Sequence, residues 1–259
     1  MTLINNTTRR LHELTRTRKI IKCGEWFKYE DEGDGGINRY IRDNENDILG
    51  WHNGMFTRLP LKSKRRRVAL DLGGCYGMAA IPLSTFFDEV HSFEINPNME
   101  PVLRANTERF ENIKVHMMGA SDADGVRYLH ENPTSSGGSY VTHGDDTPPR
   151  NKIVGVGVTS IDSFDFQNVD FIKFDVEGHE LEAINGAINT IRRYRPMLVV
   201  EMHPRSPTFS YVLMLLMLEN YVLIEKCRGG DYVFLHRYSG DVESYWTTDL
   251  IGFPQWMPK

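Results

Sequence analysis

Five acidic positions, one lysine and three glycines in this 259-residue chain have the types and spacing to do chemistry, and each sits at the end of a short apolar run. Asp71 and Leu72 follow Val68-Ala-Leu and lead into Gly73-Gly74-Cys75-Tyr-Gly77. Glu94 follows Val90-His-Ser-Phe, Asp175 and Glu177 follow Phe171-Ile-Lys173-Phe, and Glu201 follows Met197-Leu-Val-Val. Glycines after a buried strand let the backbone turn tightly and approach a ligand closely. The spacing Asp71-x-Gly73-x-x-x-Gly77 is not the G-x-G-x-x-G of a dinucleotide turn, and a carboxylate ahead of it would repel a pyrophosphate. It suits a ligand with a cationic amino group. Glu94 lies where an acid would accept hydrogen bonds from ribose hydroxyls, although the same distance serves NAD. S-adenosylmethionine combines the amino group and the ribose. Its expected contacts are Asp71, Gly73, Gly74, Cys75, Gly77, Glu94 and Asn96, with Ser121 and Asp122 of Ala120-Ser-Asp-Ala-Asp-Gly for the adenine.

The period of two along a strand puts Lys173, Asp175 and Glu177 on one side, with Ile172, Phe174 and Val176 opposite. Methyl transfer to oxygen needs a group that takes the proton of a hydroxyl nucleophile. Asp175 or Glu177 is the expected acceptor, and Lys173 would orient it or polarise the substrate oxygen. A buried Lys173–Asp175 ion pair that merely holds the strand end is the alternative. Glu201 and His203 share a side at the next strand end. With Asp175 they could hold Mg²⁺ or Mn²⁺; equally, neutral His203 could serve as a base without metal, or only hydrogen-bond its neighbours. Glu180, after Gly178-His179, could simply favour a helix start.

Asp71-Leu-Gly-Gly, Phe93-Glu94, Thr159-Ser-Ile-Asp-Ser-Phe, Phe171-Ile-Lys-Phe-Asp-Val-Glu-Gly-His-Glu and Val200-Glu-Met-His, in that order, resemble the FkbM family of S-adenosylmethionine-dependent methyltransferases. The resemblance runs from about Val68 to Pro204, and Ile-Lys-x-Asp-x-Glu-Gly-x-Glu at 172–180 is its most specific part. The chain departs from the family at Gly74, Cys75 and Tyr76, where a small residue and Asn are common. The resemblance implies O-methylation of a hydroxyl, on a sugar, glycan or small natural product, by a class I methyltransferase fold.

The elements that position these residues follow from the alternation that begins near Lys64. Strand 68–72, a helix over 76–87, strand 89–94, a helix over 98–110 and strand 113–118 form a βαβαβ unit with right-handed crossovers. Pro82 should kink the first helix or delay its start. Strand 169–175, a helix over 181–193, strand 197–202 and a helix over 209–219 continue the pattern. Tyr221-Val-Leu-Ile-Glu-Lys and Asp231-Tyr-Val-Phe-Leu-His, joined through glycines, read as a hairpin. The expected fold is α/β: a Rossmann-like, mostly parallel seven-stranded sheet with a terminal antiparallel hairpin and an N-terminal cap. Ligands in such sheets bind beyond the carboxyl ends of the strands, where Asp71, Glu94, Asp175 and Glu201 converge. Three regions follow: a cap, 1–62; a cofactor-binding core, 63–240; and a docked tail, 241–259. The cap aromatics Trp26, Phe27, Tyr29, Tyr40, Trp51 and Phe56 could line a sugar pocket or pack the cap down. Within 126–158, a strand at Val126–Leu129 and a long loop carrying His143, Asp145 and Asp146 break the rhythm, and the loop is expected to gate substrate.

Net charge is −5, but residues 1–67 hold 15 Lys and Arg against 9 Asp and Glu, a net of +6 that leaves −11 for the rest. Basic runs such as Lys62-Ser-Lys-Arg-Arg-Arg admit an RNA ribose 2′-hydroxyl as acceptor, while the acidic remainder opposes a phosphate backbone. A non-catalytic binding module on the same fold is the reading from another class. Cys23, Cys75 and Cys227 are too widely spaced for a disulfide framework or zinc site. With no apolar run long enough for a bilayer and no apolar leader, the expectation is a cytoplasmic protein without a membrane partner.

Overall fold

The computed structural model describes residues 20–23, 25–29, 40, 65–130, 139–142, 153–227 and 229–239. Trp51, Phe56, His143, Asp145, Asp146 and the tail from 240 onward lie outside the described residues, as does most of the expected cap.

Two short strands, β1 (Ile20–Cys23) and β2 (Trp26–Tyr29), pair as an antiparallel hairpin. The βαβαβ unit follows as β3 (Val68–Leu72), α1 (Ala80–Ser84), β4 (Glu89–Phe93), α2 (Glu100–Thr107) and β5 (Ile113–His116). Pro82 sits near the start of α1, where its missing N–H costs little, and the helix begins late as the sequence suggests. After β5 come β6 (Gly119–Ala120), β7 (Gly125–His130), β8 (Tyr140–Thr142) and β9 (Ile153–Thr159). The last stretch is β10 (Val169–Phe174), α3 (Glu180–Asn185), α4 (Ile188–Tyr194), β11 (Met197–Glu201), α5 (Phe209–Leu218), β12 (Tyr221–Lys226) and β13 (Asp231–His236).

The main sheet has seven strands in the order β12-β13-β11-β10-β3-β4-β5, with β13 antiparallel to both of its neighbours and the remaining pairs parallel. This is the class I methyltransferase arrangement expected from sequence. Alternation along the central strands builds two apolar layers. Leu70, Leu72, Ile172, Phe174, Leu198 and Val200 face α3, α4 and α5. Ala69, Phe171 and Val199 face the opposite way, toward α1. Asp71, Lys173 and Val199 occupy registered positions on β3, β10 and β11, so the polar side chains at the carboxyl ends emerge on the α1 side.

A second sheet, β6-β9-β7-β8, corrects the reading of 126–158 as a strand followed mainly by loop. Gly155 and Gly157 dilute the strand signal of Ile153-Val-Gly-Val-Gly-Val-Thr, yet Val156 and Val158 are buried while both glycines are exposed, the alternation of a half-covered strand. The predicted strand 113–118 ends at His116 because the chain then leaves for this sheet.

The β1–β2 hairpin is clamped to the core by Asn106 of α2. Phe27 N donates to Asn106 Oδ1 at 2.7 Å, and Asn106 Nδ2 donates to the carbonyls of Phe27 and Tyr76. Trp26 is buried against Tyr76, Met78, Ile81, Met99 and Val102. Of the two roles open to the cap aromatics, Trp26 takes packing. Part of the basic run is also used inside the fold. Arg67 forms a forked pair with buried Asp170, and Arg65 donates to the carbonyls of Tyr194 and Arg195 at the end of α4. No helix among the described residues is long and apolar enough to cross a membrane.

Candidate active site

The glycine turn after β3 is held on two sides. Gly73 N and Gly74 N donate to Phe93 O, while Cys75 N donates to Glu94 Oε2 at 2.7 Å. Gly73 (φ +108°) and Gly77 (φ +85°) adopt conformations that favour glycine. A Cβ on Gly73 would lie 1.9 Å from Asp175 O, and one on Gly74 2.5 Å from Ser92 Oγ. These two glycines therefore bring the strand ends of β3, β4 and β10 into contact. Cys75 is itself left-handed at φ +46°, a region Asn tolerates better than most residues.

Glu94 is buried and accepts from Asn96 N at 2.7 Å as well as from Cys75 N. Burial pushes its carboxyl up to about 7 against the pull of those two amides. Each oxygen retains a lone pair for a ribose hydroxyl. Asn96 caps the turn that precedes α2, accepting from Asn98 N at 3.0 Å. Asp71 has no exposed surface. It accepts from Ser92 Oγ at 3.0 Å, and the Ala80 amide also favours its charged form. Burial raises its carboxyl to about 6, opposed by Lys173. Asp71 thus stands behind the turn, where its charge would act on a ligand's ammonium through the turn. Ser92 is a partner that the sequence analysis did not identify.

The two residues expected on the adenine side differ in exposure, although Ser121 Oγ donates to Asp122 Oδ1 at 3.1 Å. Asp122 is exposed, 3.5 Å from Arg127. Ser121 is fully buried and bonds His179 Nε2 at 2.9 Å, and the backbone of Gly186 packs so closely that a Cβ there would sit 1.8 Å from Ser121 O. His179 joins α3 to the segment after β6, a role that a lone histidine in the sequence does not reveal. In Thr159-Ser-Ile-Asp-Ser-Phe, Asp162 accepts from the amides of Asn189 and Thr190 and from Thr190 Oγ1, capping α4.

At the ends of β10 and β11 the carboxylates gather. Lys173 is fully buried, and its ammonium donates to Asp175 Oδ2. Burial would lower its pKa, but the charges of Asp175, Asp231 and Asp71 prevail and raise it. Asp231, opposite Glu201 in the β11–β13 register, is the third acid around this lysine and was not foreseen as a site residue. Asp175, Glu177 and Glu201 each bring a carboxylate oxygen within 4.8 Å of the others. Glu201 is pushed up by burial, then by repulsion from Asp175 and a hydrogen bond with it. Glu177 is the most open of the three, yet the protein packed around its carboxyl, together with Asp175 and Glu180, lifts it to about 8. Its φ of +54° curls the chain back after the strand ends at Phe174. Glu180 accepts from Gly178 N at 2.9 Å and braces that curl, in keeping with a structural role at the start of α3.

His203 does not join this cluster. It is exposed, and its Nδ1 accepts from Arg205 N at 3.3 Å. The chain turns away after β11, so Glu177 takes the place expected for His203 beside Asp175 and Glu201. Three oxygen donors suit a hard divalent cation. They equally suit proton sharing.

A family model described as the methyltransferase FkbM domain matches residues 82–227, beginning just past the glycine turn. No curated protein matches the sequence. Among solved structures, a methyltransferase FkbM from Methylobacillus flagellatus KT aligns at 20% identity with a TM-score of 0.50, covering 75% of this chain and 52% of its own. The present chain therefore spans about half the length of that protein. A TehB-like SAM-dependent methyltransferase from Corynebacterium glutamicum aligns at 15% identity and TM-score 0.43, over 77% of this chain and 94% of its own. Aeropyrum pernix fibrillarin with natively bound S-adenosyl-L-methionine aligns at 13% identity and TM-score 0.41, over 68% and 67%.

Proposed function

This chain belongs to the FkbM methyltransferase family, and on that premise we propose that it is an S-adenosylmethionine-dependent O-methyltransferase acting on a hydroxyl of a sugar, glycan or small natural product. The observation that carries the oxygen acceptor is the cluster of three carboxylates, Asp175, Glu177 and Glu201, beside the buried Lys173. A hydroxyl needs a proton acceptor during methyl transfer, and carboxylates lifted toward neutral pH are matched to that task.

S-adenosylmethionine supplies an electrophilic methyl on a sulfonium. The glycine turn 73–77, with Asp71 behind it, would hold the methionine end, and Glu94 would receive the ribose hydroxyls. Asn96 fixes Glu94 from one side and the Cys75 amide from the other. Lys173 pairs with Asp175 and aims it, and the proton released as the C–O bond forms and the methyl–sulfur bond breaks would pass to Asp175 or Glu177. The same three carboxylates would be the ligands if Mg²⁺ or Mn²⁺ took part. An RNA acceptor is less well supported, because Arg65 and Arg67 of the basic run are engaged inside the fold.

The test is calorimetric titration with S-adenosylmethionine, S-adenosylhomocysteine and NAD, followed by transfer of labelled methyl to sugars, small hydroxylated compounds and RNA. The reading expects binding of the first two ligands, loss of that binding in Asp71→Ala and Glu94→Ala, and a methyl ether product whose formation stops in Asp175→Asn. A product methylated on nitrogen or carbon would overturn the oxygen acceptor. Failure of the wild type to bind S-adenosylmethionine would overturn the whole reading.

A further inference from the structure

The segment that carries Ser121 and Asp122 adjoins the place proposed for the ribose. Gly119 packs so tightly on the residue after Glu94 that a Cβ there would lie 2.5 Å from Ile95 Cδ1. A base joined to a ribose at Glu94 therefore has residues 119–122 within reach. Asp122 is the carboxylate on this segment, and its side chain is 49% exposed.

That carboxylate is aimed from inside the protein. Ser121 Oγ donates to Asp122 Oδ1 at 3.1 Å, and the same Oγ lies 2.9 Å from His179 Nε2. A hydroxyl carries one hydrogen and a carboxylate oxygen only accepts, so the imidazole Nε2–H is the donor to Ser121. His179 is 2% exposed and Ser121 has no exposed surface, so water competes little for their bond. Glu182 Oε2 lies 3.5 Å from Nδ1 on the other side of the ring. The backbone of His179 is fixed as well: it follows Glu177 and Gly178, both at positive φ, and its carbonyl accepts from Ala183 N at 3.1 Å in the first turn of α3. Arg127 reaches Asp122 Oδ1 from the surface at 3.5 Å, the long end of such contacts. Both bonds use Oδ1, and among the described residues Oδ2 accepts none, which leaves it for a ligand's N–H.

We propose that His179 is a positioning residue for the cofactor's base: through Ser121 it aims the Asp122 carboxylate at the 6-amino group of adenine. The inference rests on the S-adenosylmethionine reading above and adds the residue that sets base recognition. Because His179 stands two residues after Glu177, the turn that carries one of the clustered carboxylates also sets the adenine contact.

The test is calorimetric titration of the full chain with S-adenosylhomocysteine and with its analogue carrying unsubstituted purine in place of adenine. The wild type is expected to bind the adenine form at least about tenfold more tightly, as one hydrogen bond to a charged group provides. Ser121→Ala and His179→Leu should each reduce that ratio at least about threefold, the effect of losing a neutral hydrogen bond. His179→Gln, whose amide nitrogen can take the place of Nε2, should keep it. A fold that is merely loosened weakens both ligands alike and leaves the ratio intact. An unchanged ratio in Ser121→Ala would overturn the proposal even if His179→Leu fails to fold, as would a ratio in His179→Gln as low as in Ser121→Ala. A wild type that binds both ligands equally would overturn it and leave the methyltransferase reading standing. A wild type that binds neither would overturn both.

Discussion

The Cys75 amide donates to Glu94 Oε2 at 2.7 Å, so the acid that ends β4 also fixes the glycine turn that follows β3. The residue proposed to receive the ribose is thereby a support of the turn proposed to receive the methionine end. Glu94→Gln keeps the shape but replaces one accepting oxygen with a donor that faces an amide. The expected result is S-adenosylmethionine binding weakened at least about tenfold, together with a stability loss of about 1–3 kcal/mol from the unsatisfied amide. Calorimetry and urea unfolding would measure the two effects. Tight binding with lost stability would assign Glu94 to the turn alone.

The same carboxyl makes stability depend on pH in a definite direction. Its pKa in the fold, about 7, lies above the ordinary 4.5, so between these values the native state holds a proton that the unfolded chain releases. Glu94 therefore favours folding below pH 4.5, and its contribution is lost as pH rises to 7, at up to about 1.4 kcal/mol per pH unit. His91 and His116, both lowered by burial, act in the opposite sense below pH 6.5. The difference between wild type and Glu94→Gln isolates the carboxyl. The wild type should lose stability relative to the variant from pH 5 to pH 7, and a difference that grows in the other direction would refute the assignment.

Among the described residues, Lys173 is the one buried cation beside Asp71, Asp175 and Asp231. Lys173→Met leaves those carboxyls without compensation, and a loss of about 3–5 kcal/mol is expected from thermal or urea unfolding. Asp175→Asn should cost less, because the amide still accepts from the ammonium, while turnover falls by orders of magnitude. Equal effects of the two substitutions on stability and turnover would reduce the pair to a structural ion pair.

Gly73→Ala should fail more severely than an ordinary loop substitution. Its Cβ would meet Asp175 O at 1.9 Å, in a backbone conformation that L residues avoid. The expected cost is about 3 kcal/mol or more, with loss of cofactor binding. Gly157→Ala, with open space around its Cβ, is the control and should be nearly neutral.

Exhaustive dialysis against EDTA separates the two uses of the carboxylate cluster. If Asp175, Glu177 and Glu201 act by holding the proton, methyl transfer survives and rises with pH toward the Glu177 value of about 8. Activity lost to EDTA and restored by Mg²⁺ or Mn²⁺ would assign the cluster to a metal instead.

Much of this could be read from the chain because it depends on local pattern. Val68 to Leu72 and Val169 to Phe174 are apolar runs that only a sheet covered on both faces can bury. The acids and glycines at their ends mark the carboxyl edge whatever the rest of the chain does. The period of two likewise places Lys173 and Asp175 on one side, and the structure bonds them. Neither inference needs a contact distant in sequence.

The details that packing settles are of another kind. Glu177 replaces His203 in the carboxylate cluster because a left-handed residue after β10 curls one chain inward while the other turns out after β11. Ser121 finds His179, Asp71 finds Ser92, and Lys173 gains Asp231, each pair brought together by strand order or helix docking across gaps that no spacing rule spans. The strand β9 is concealed by its own glycines. Sequence periodicity reports which side of an element is covered, and the partner on that side is chosen by the register and handedness of the assembled sheet.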